Sequence, residues 1–420
     1  MKRVHCLAAL VMVGAIVSGC GQTGAVGLVQ SAATRAPASD TAATQAAWSI
    51  NAFGFDYYKA ALASGGNSIV SPASIVLALS MARAGAAGDT AKQMDTVLHS
   101  PVAGDLNSLD QALAGLSGTF KDSHDNDVPV ALHIANAPFA QKDLAIAQPF
   151  LDTLASEYGA GLRLVDFKND STTACNAIDS WVSDQTQGRI PRLLDSVDPL
   201  TRLVLVNAIY MKAPWLSQFD KDSTSPADFT RSDGSKVRVP MMSQTLQKAA
   251  YSVGVGWQAV QIPYVGGSLA MTIVVPENLA AFEAKLDAVQ FTQIANLLGQ
   301  TPVYVTMPTF KVETKSDLAG VISKMGMPLA FDDNKADFSG ITTQEKLYIT
   351  KVIHEANITV DETGTEATAA TAVQIGPMAI PGGKTQSIPT VTVDRPFIFM
   401  VTDTKSGAIL FLGRVVDPSV

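Results

Sequence analysis

The apolar residues of this chain change their spacing halfway along it, and that change limits the folds open to it. In the first half they recur at helical spacing. Residues 46–63 and 72–87 read as helices split by the turn Ser64-Gly65-Gly66-Asn67. A short helix starts at Asp89, another covers residues 105–119, and a further one lies around 171–187. From Leu203 onward the apolar residues come instead in short blocks typical of strands. These are Leu203-Val204-Leu205-Val206, Leu269 to Val275, Val303 to Met307 and Ile358-Thr359-Val360. Pro396 to Val401 and Ile409 to Leu412 form a closing hairpin around Lys405-Ser406-Gly407. Helices first and strands afterwards predict an α+β fold with large sheets. No internal repeat or second linker interrupts the pattern, so a single domain over residues 46–420 is expected.

Composition excludes several function classes. Of 420 residues, 47% are hydrophobic and 16% charged, which is too apolar for a disordered chain and too mixed for a polytopic membrane protein. The net charge is −8 with no basic run, so a nucleic-acid partner is not expected. Five His and three Cys supply no familiar zinc spacing, and no metal or cofactor is expected. There is no Gly-x-Ser-x-Gly elbow, no His-Glu-x-x-His and no phosphate-loop lysine motif. Gly254-Val255-Gly256 reads as a turn at a strand end, and His124 sits in a solvated run from Asp122 to Asp127. Nothing local supports a catalytic constellation, and the chain is not expected to be an enzyme.

The N-terminus reads as an address. Met1-Lys2-Arg3 precedes an apolar stretch from Leu7 to Val17, and Val17-Ser18-Gly19-Cys20 closes it. The stretch is too short to remain as a membrane helix, which needs roughly 20 apolar residues. Its ending resembles the lipobox of bacterial lipoproteins, which makes Cys20 the lipid attachment site, residues 1–19 the signal and the cell envelope the location. Residues 20–45, rich in Ala, Gly, Ser and Thr, are expected to be a flexible tether. Cleavage would leave Cys175 without a partner, and its helical neighbours mark it as a small buried hydrophobe.

The most unusual stretch is residues 361–377. It is small and aliphatic after Glu366, whereas a surface loop is normally rich in Gly, Asn, Asp and Pro. With period two, one face carries Thr365, Ala367, Ala369, Thr371, Val373 and Ile375. That face holds no charge, so it could enter a sheet without a desolvation penalty. Pro377 comes only at the end, and Gly364 sits at the root, where a hinge needs freedom in φ.

Here the sequence resembles the serpin family, over essentially the whole domain. Asp361-Glu362-Thr363-Gly364-Thr365-Glu366-Ala367 is similar to the hinge of the reactive-centre loop in inhibitory serpins. Val393-Asp394-Arg395-Pro396-Phe397-Ile398-Phe399 is similar to the family's C-terminal signature. Ser71-Pro72-Ala73-Ser74-Ile75, Gly85 to Thr90, Thr186 to Ile190, Asn207 to Lys212 with Trp215, and Asp337-Phe338-Ser339-Gly340 fall in the family's order.

The resemblance implies three β-sheets, eight or nine helices and an exposed loop over about residues 362–386. It implies a target serine protease as covalent partner: the protease cleaves the loop, is trapped as an acyl-enzyme, and the loop inserts into the main sheet. The specificity residue typically lies sixteen positions after the hinge glutamate, and 362 + 16 gives Met378, so Met378-Ala379 is the expected reactive bond. Pro377-Met378-Ala379-Ile380-Pro381 is also similar to the reactive centre of antitrypsin. An unbranched apolar Met suits elastase-, chymotrypsin- or subtilisin-like pockets. The hinge then comprises Glu362, Gly364, Thr365, Glu366, Ala367, Thr368, Ala369 and Ala370. Ser71, Ser74, Asn207 and His354 match the family's buried shutter, and Trp215 matches the breach where insertion starts. No Lys or Arg lies between Lys92 and Lys121, so no heparin site is expected, and the chain is expected to be a monomer. The alternatives are a non-inhibitory binding or chaperone-like protein of the same fold, or an inhibitor of cysteine proteases.

Overall fold

A computed structural model describes residues 26–61, 65–100, 102–366 and 388–420. The signal, Cys20, Ala367 to Ala370, Met378 and Ala379 lie outside these residues.

The described residues hold nine α-helices: α1 (Asp40–Ala61), α2 (Pro72–Arg83), α3 (Gly88–Val97), α4 (Ala103–Ala114), α5 (Gln148–Tyr158), α6 (Ser171–Gln185), α7 (Leu279–Glu283), α8 (Ala288–Leu297) and α9 (Ala319–Met325). Local chemistry sets their ends. Ser71 caps α2 by accepting from the Ser74 N–H, with Pro72 opening the first turn, and Asp170 caps α6 through the Thr173 N–H. Gly159 ends α5 in a left-handed conformation, φ +58°.

Three sheets accompany them. The main sheet comprises β1 (Gly27–Val29), β3 (Gly118–Lys121), β4 (Asp127–Gln141), β5 (Leu162–Val165), β6 (Leu203–Pro214), β14 (Phe310–Asp317), β15 (Lys351–Val360) and β16 (Gly364–Thr365). Its order is β1-β5-β4-β6-β16-β15-β14, with β3 on β4. The second sheet comprises β2 (Ser68–Val70), β9 (Ala250–Gly254), β10 (Trp257–Pro263), β11 (Leu269–Pro276), β12 (Gly299–Gln300), β18 (Phe397–Asp403) and β19 (Ile409–Val415). β7 (Ser225–Thr230), β8 (Lys236–Leu246), β13 (Val303–Pro308) and β17 (Thr390–Thr392) make the third.

One large core packs α1 and α2 between the main and second sheets. A smaller one lies on the opposite face of the main sheet, where Cys175, Ile178 and Val182 of α6 cover Val204, Val206 and Ile353. β6 is therefore buried on both faces along nearly its whole length, and its start, Leu203 to Val206, reads as a continuous apolar run for that reason. Cys175 is buried as expected, its thiol 3.6 Å from the Leu194 carbonyl, and burial pushes its pKa up. Gly254 to Gly256 turns β9 into β10.

The expected tether needs correction. Residues 26–39 pack on the domain and α1 already starts at Asp40. β1 pairs antiparallel with β5, the Ala36 N–H donates to Ser156 O at 2.9 Å, and Arg35 is ion-paired with Asp110. Backbone hydrogen bonds require no large side chains, so a composition of small residues does not distinguish an edge strand from a linker. Many elements had no counterpart in the sequence reading, among them the strands β4, β8, β10 and β14 and the helices α5, α8 and α9, and α4 stops at Ala114, before the expected end.

Candidate functional site

The described part of the expected hinge, Glu362 to Glu366, is seated where two strands of the main sheet part. β6 and β15 pair in parallel from Val204↔Lys351 to Ile209↔Ala356. Above that point they separate, and β16 lies between them, antiparallel to both: Thr365 pairs with Val360 on one side and Ala213 on the other. The first residues of the predicted inserting segment therefore already occupy the gap.

Side chains hold this start in place. Trp215 is fully buried and donates through Nε1 to Asp361 O at 2.9 Å, while its N–H donates to Thr363 O at 3.0 Å. The Asp361 carboxylate accepts from the Thr363 hydroxyl at 2.5 Å and from the N–H groups of Thr363 and Gly364. Glu362 accepts from the Thr224 hydroxyl at 2.6 Å. Trp215 stacks on Tyr264 with ring centroids 4.5 Å apart, and the Tyr264 and Thr365 hydroxyls meet at 2.7 Å. Burial pushes the Tyr264 phenol far above its usual range, so it stays neutral.

Thr365 thus faces the large core, and the next residue faces the other way. Glu366 has φ +48°, its N–H bonds Thr359 O at 3.0 Å, and its carboxylate lies 3.5 Å from the Arg189 guanidinium. Burial raises the Glu366 carboxyl pKa, and Arg189 opposes that rise. The alternation places residues 365, 367, 369, 371, 373 and 375 on the core side if the strand were to continue, which is the small, uncharged face.

Below the gap lies the predicted shutter. His354 and Asn207 are register partners on β15 and β6, the two strands an inserting segment would separate. The Ser71 N–H donates to His354 Nε2 at 3.1 Å, so that nitrogen is unprotonated and Nδ1–H donates to Asn207 Oδ1. The Asn207 amide donates to Ser74 Oγ at 2.5 Å and to Asn136 Oδ1 at 2.6 Å. The Ser74 hydroxyl also donates to Asn136 Oδ1, at 3.1 Å. Complete burial pushes the His354 pKa down to about 3, which keeps the ring neutral. All four predicted shutter residues meet, and Trp215 meets the hinge.

Sequence reasoning missed three participants. Asn136 completes the shutter from β4, and its signal was a lone amide inside the apolar run Ile134 to Ala137. Tyr264 has no local signal, because only the tertiary fold brings it to Trp215. Glu355, beside His354 but on the α6 face, is buried, and desolvation raises its pKa to about 7, with Glu313 and Asp179 adding to the rise against Lys315.

A family profile described as "Serpin (serine protease inhibitor)" matches residues 49–418. An uncharacterized serpin-like protein of Thermococcus kodakarensis is 37% identical over 371 residues, covering 88% of this chain and 85% of its own. Human leukocyte elastase inhibitor is 33% identical, covering 84% of this chain and 93% of its own. Among solved structures, the thermophilic serpin tengpin in its native state aligns with a TM-score of 0.78 at 26% identity, covering 93% of this chain and 97% of its own.

Proposed function

This chain belongs to the serpin family, many of whose members inhibit serine proteases, and on that premise we propose that it is a suicide inhibitor of elastase-, chymotrypsin- or subtilisin-like enzymes. The observation that carries the proposal is β16, already started between β6 and β15 with its small face toward the core. In the proposed mechanism the protease attacks the bond after Met378 and forms an acyl-enzyme. The freed segment then continues β16 downward and carries the protease with it; strand addition of this kind is a known property of serpins.

The sheet's chemistry favours that step. The direct β6–β15 contact is a parallel pairing, whereas β16 runs antiparallel to both neighbours. Continuing β16 exchanges one parallel ladder for two antiparallel ones, which are slightly more stable per residue. A strand of roughly ten residues adds on the order of five to ten hydrogen bonds net, each worth about 1 kcal/mol. The shutter must release the His354–Asn207 bond for the strands to part, and its several polar groups give each freed atom an alternative partner. Lipidation at Cys20 would hold the inhibitor at the cell envelope; incorporation of a labelled fatty acid that persists in Cys20→Ser would refute that placement.

The test is to mix the chain with pancreatic elastase, chymotrypsin and subtilisin and run a denaturing gel. A protease adduct stable to denaturant is expected, with mass spectrometry locating cleavage after Met378. Met378→Arg should move adduct formation to trypsin, whose pocket carries a buried Asp; unchanged specificity would exclude Met378 as the specificity residue. Cleavage without adduct across a wide panel would favour a non-inhibitory member of the family.

A further inference from the structure

β5 accompanies β4 only over Phe139–Gln141, and β3 joins it only over Asp127–Val130. Between these stretches, β6 is the one described strand paired with β4. A cavity of about 300 Å³ lies along this stretch of β4, lined also by α2, by β1 and by the residues that follow α5. Leu77 and Met81 of α2 and Ile134 of β4 give it an apolar wall, and Asn136 of the shutter lies on its lining.

Two donors on that lining lack a protein acceptor among the described residues. The Arg163 guanidinium lies 4.9 Å from the centroid of the Trp181 ring, with no hydrogen bond or ion pair to it among the described residues. Burial acts on it without a compensating carboxylate and pulls its pKa down. The Trp181 Nε1–H is buried and has no partner among the described residues. Arg35, the other cation there, is already engaged by Asp110 and by Asn107 Oδ1 at 2.9 Å. Arg163 is half-buried, whereas the Trp181 N–H is a buried donor whose lack of an acceptor is costly, and an anion held beside the Arg163 guanidinium would satisfy it.

We propose that this cavity binds a small amphipathic carboxylate, its head group held by Arg163 and the Trp181 Nε1–H and its tail lying along Leu77, Met81 and Ile134. Such a ligand bridges β4 to α2. β4 is paired with β6 from Ala131 to Ala140, so on the inhibitory reading the bridge opposes the parting of β6 from β15.

The test is calorimetric titration of the full chain with octanoate, and with octan-1-ol as the uncharged control. Saturable single-site binding is expected, weakened about tenfold or more for octan-1-ol and in Arg163→Met. The Met81 methyl resonance of the unmodified chain should shift during the titration, which locates the ligand even where the variant fails to fold. Absence of saturable binding, equal affinity for octan-1-ol, or an unmoved Met81 signal overturns the site. Saturating octanoate should slow adduct formation with elastase, and an unchanged rate refutes the coupling. A ligand-free chain that forms no adduct with any protease refutes the inhibitory reading instead, and the titration still decides the site.

Discussion

Gly364 shows how tightly the proposed hinge is specified at the level of single atoms. Its φ is +148°, and a Cβ there would lie 2.3 Å from Ala213 O and 2.6 Å from Pro214 Cα. The glycine is therefore required by the close approach of β16 to β6 as well as by backbone freedom. Gly364→Ala should lower stability by about 1–3 kcal/mol or expel β16 from the gap. Urea unfolding and hydrogen exchange at Thr365 measure both, and an unchanged midpoint with unchanged protection would contradict the geometry. His354 and Glu355, adjacent on β15, respond to pH in opposite senses. His354 is depressed to about 3 in the folded chain, so its contribution is present above its unfolded value of about 6.5 and is lost as pH falls below that. The loss is about 1.4 kcal/mol per pH unit between 6.5 and 3. Glu355 is raised to about 7, so the folded state regains stability as pH falls from 7 toward the unfolded carboxylate value. The two partly cancel between about pH 4.5 and 6.5. Glu355→Gln should unmask the histidine: the variant loses more stability between pH 7 and pH 5 than the unmodified chain does. Equal slopes in the two proteins would rule out the buried carboxyl as the opposing group.

At the scale of elements, the alternation through β16 decides which substitutions the hinge tolerates. Thr365 is buried against Tyr264, so Thr365→Arg would bring a guanidinium beneath the sheet, while Glu366 on the opposite face already meets Arg189. Thr365→Arg should leave the chain cleavable but raise the inhibitor consumed per protease trapped by about tenfold or more, since an unpaired buried cation obstructs insertion. Titrating active protease against the variant measures this ratio, and an unchanged ratio would deny that Thr365 faces the core during insertion. The small-face pattern that supports this reading was legible in the sequence, because period two is an intrinsic property of strands. So were α1, α2, α6 and the strand blocks, each carried by its own apolar spacing. β4 escaped because burial on both faces mixes Pro, Ala, His and Asn into a run with no clean alternation. α5 carries a legible pattern in Phe150, Leu151, Leu154, Ala155 and Tyr158, with Pro149 in its first turn, so its signal is local. The edge strand β1 could not be read, since its order comes from backbone pairing with β5 and from Arg35, both tertiary. The same holds for Asn136 and Tyr264, which join the shutter and breach only through register and packing.

At the scale of the whole molecule, the proposed inhibitory mechanism requires a main sheet that gains stability by accepting a further strand. Its central parallel pair leaves room above Ile209 and Ala356 that β16 fills for two residues. A segment with a small apolar face lies next in the chain, in residues 367 onward. Cleavage after Met378 would release that segment to extend β16, so on the proposed mechanism cutting the loop stabilises the fold. The direct measurement is calorimetric melting of the chain before and after limited cleavage after Met378, with the cut confirmed by mass spectrometry. A midpoint raised by on the order of 10 °C or more is expected, since each kcal/mol gained moves the midpoint of a large domain by about 2 °C. A cleaved chain that melts at the same temperature or lower would contradict that mechanism.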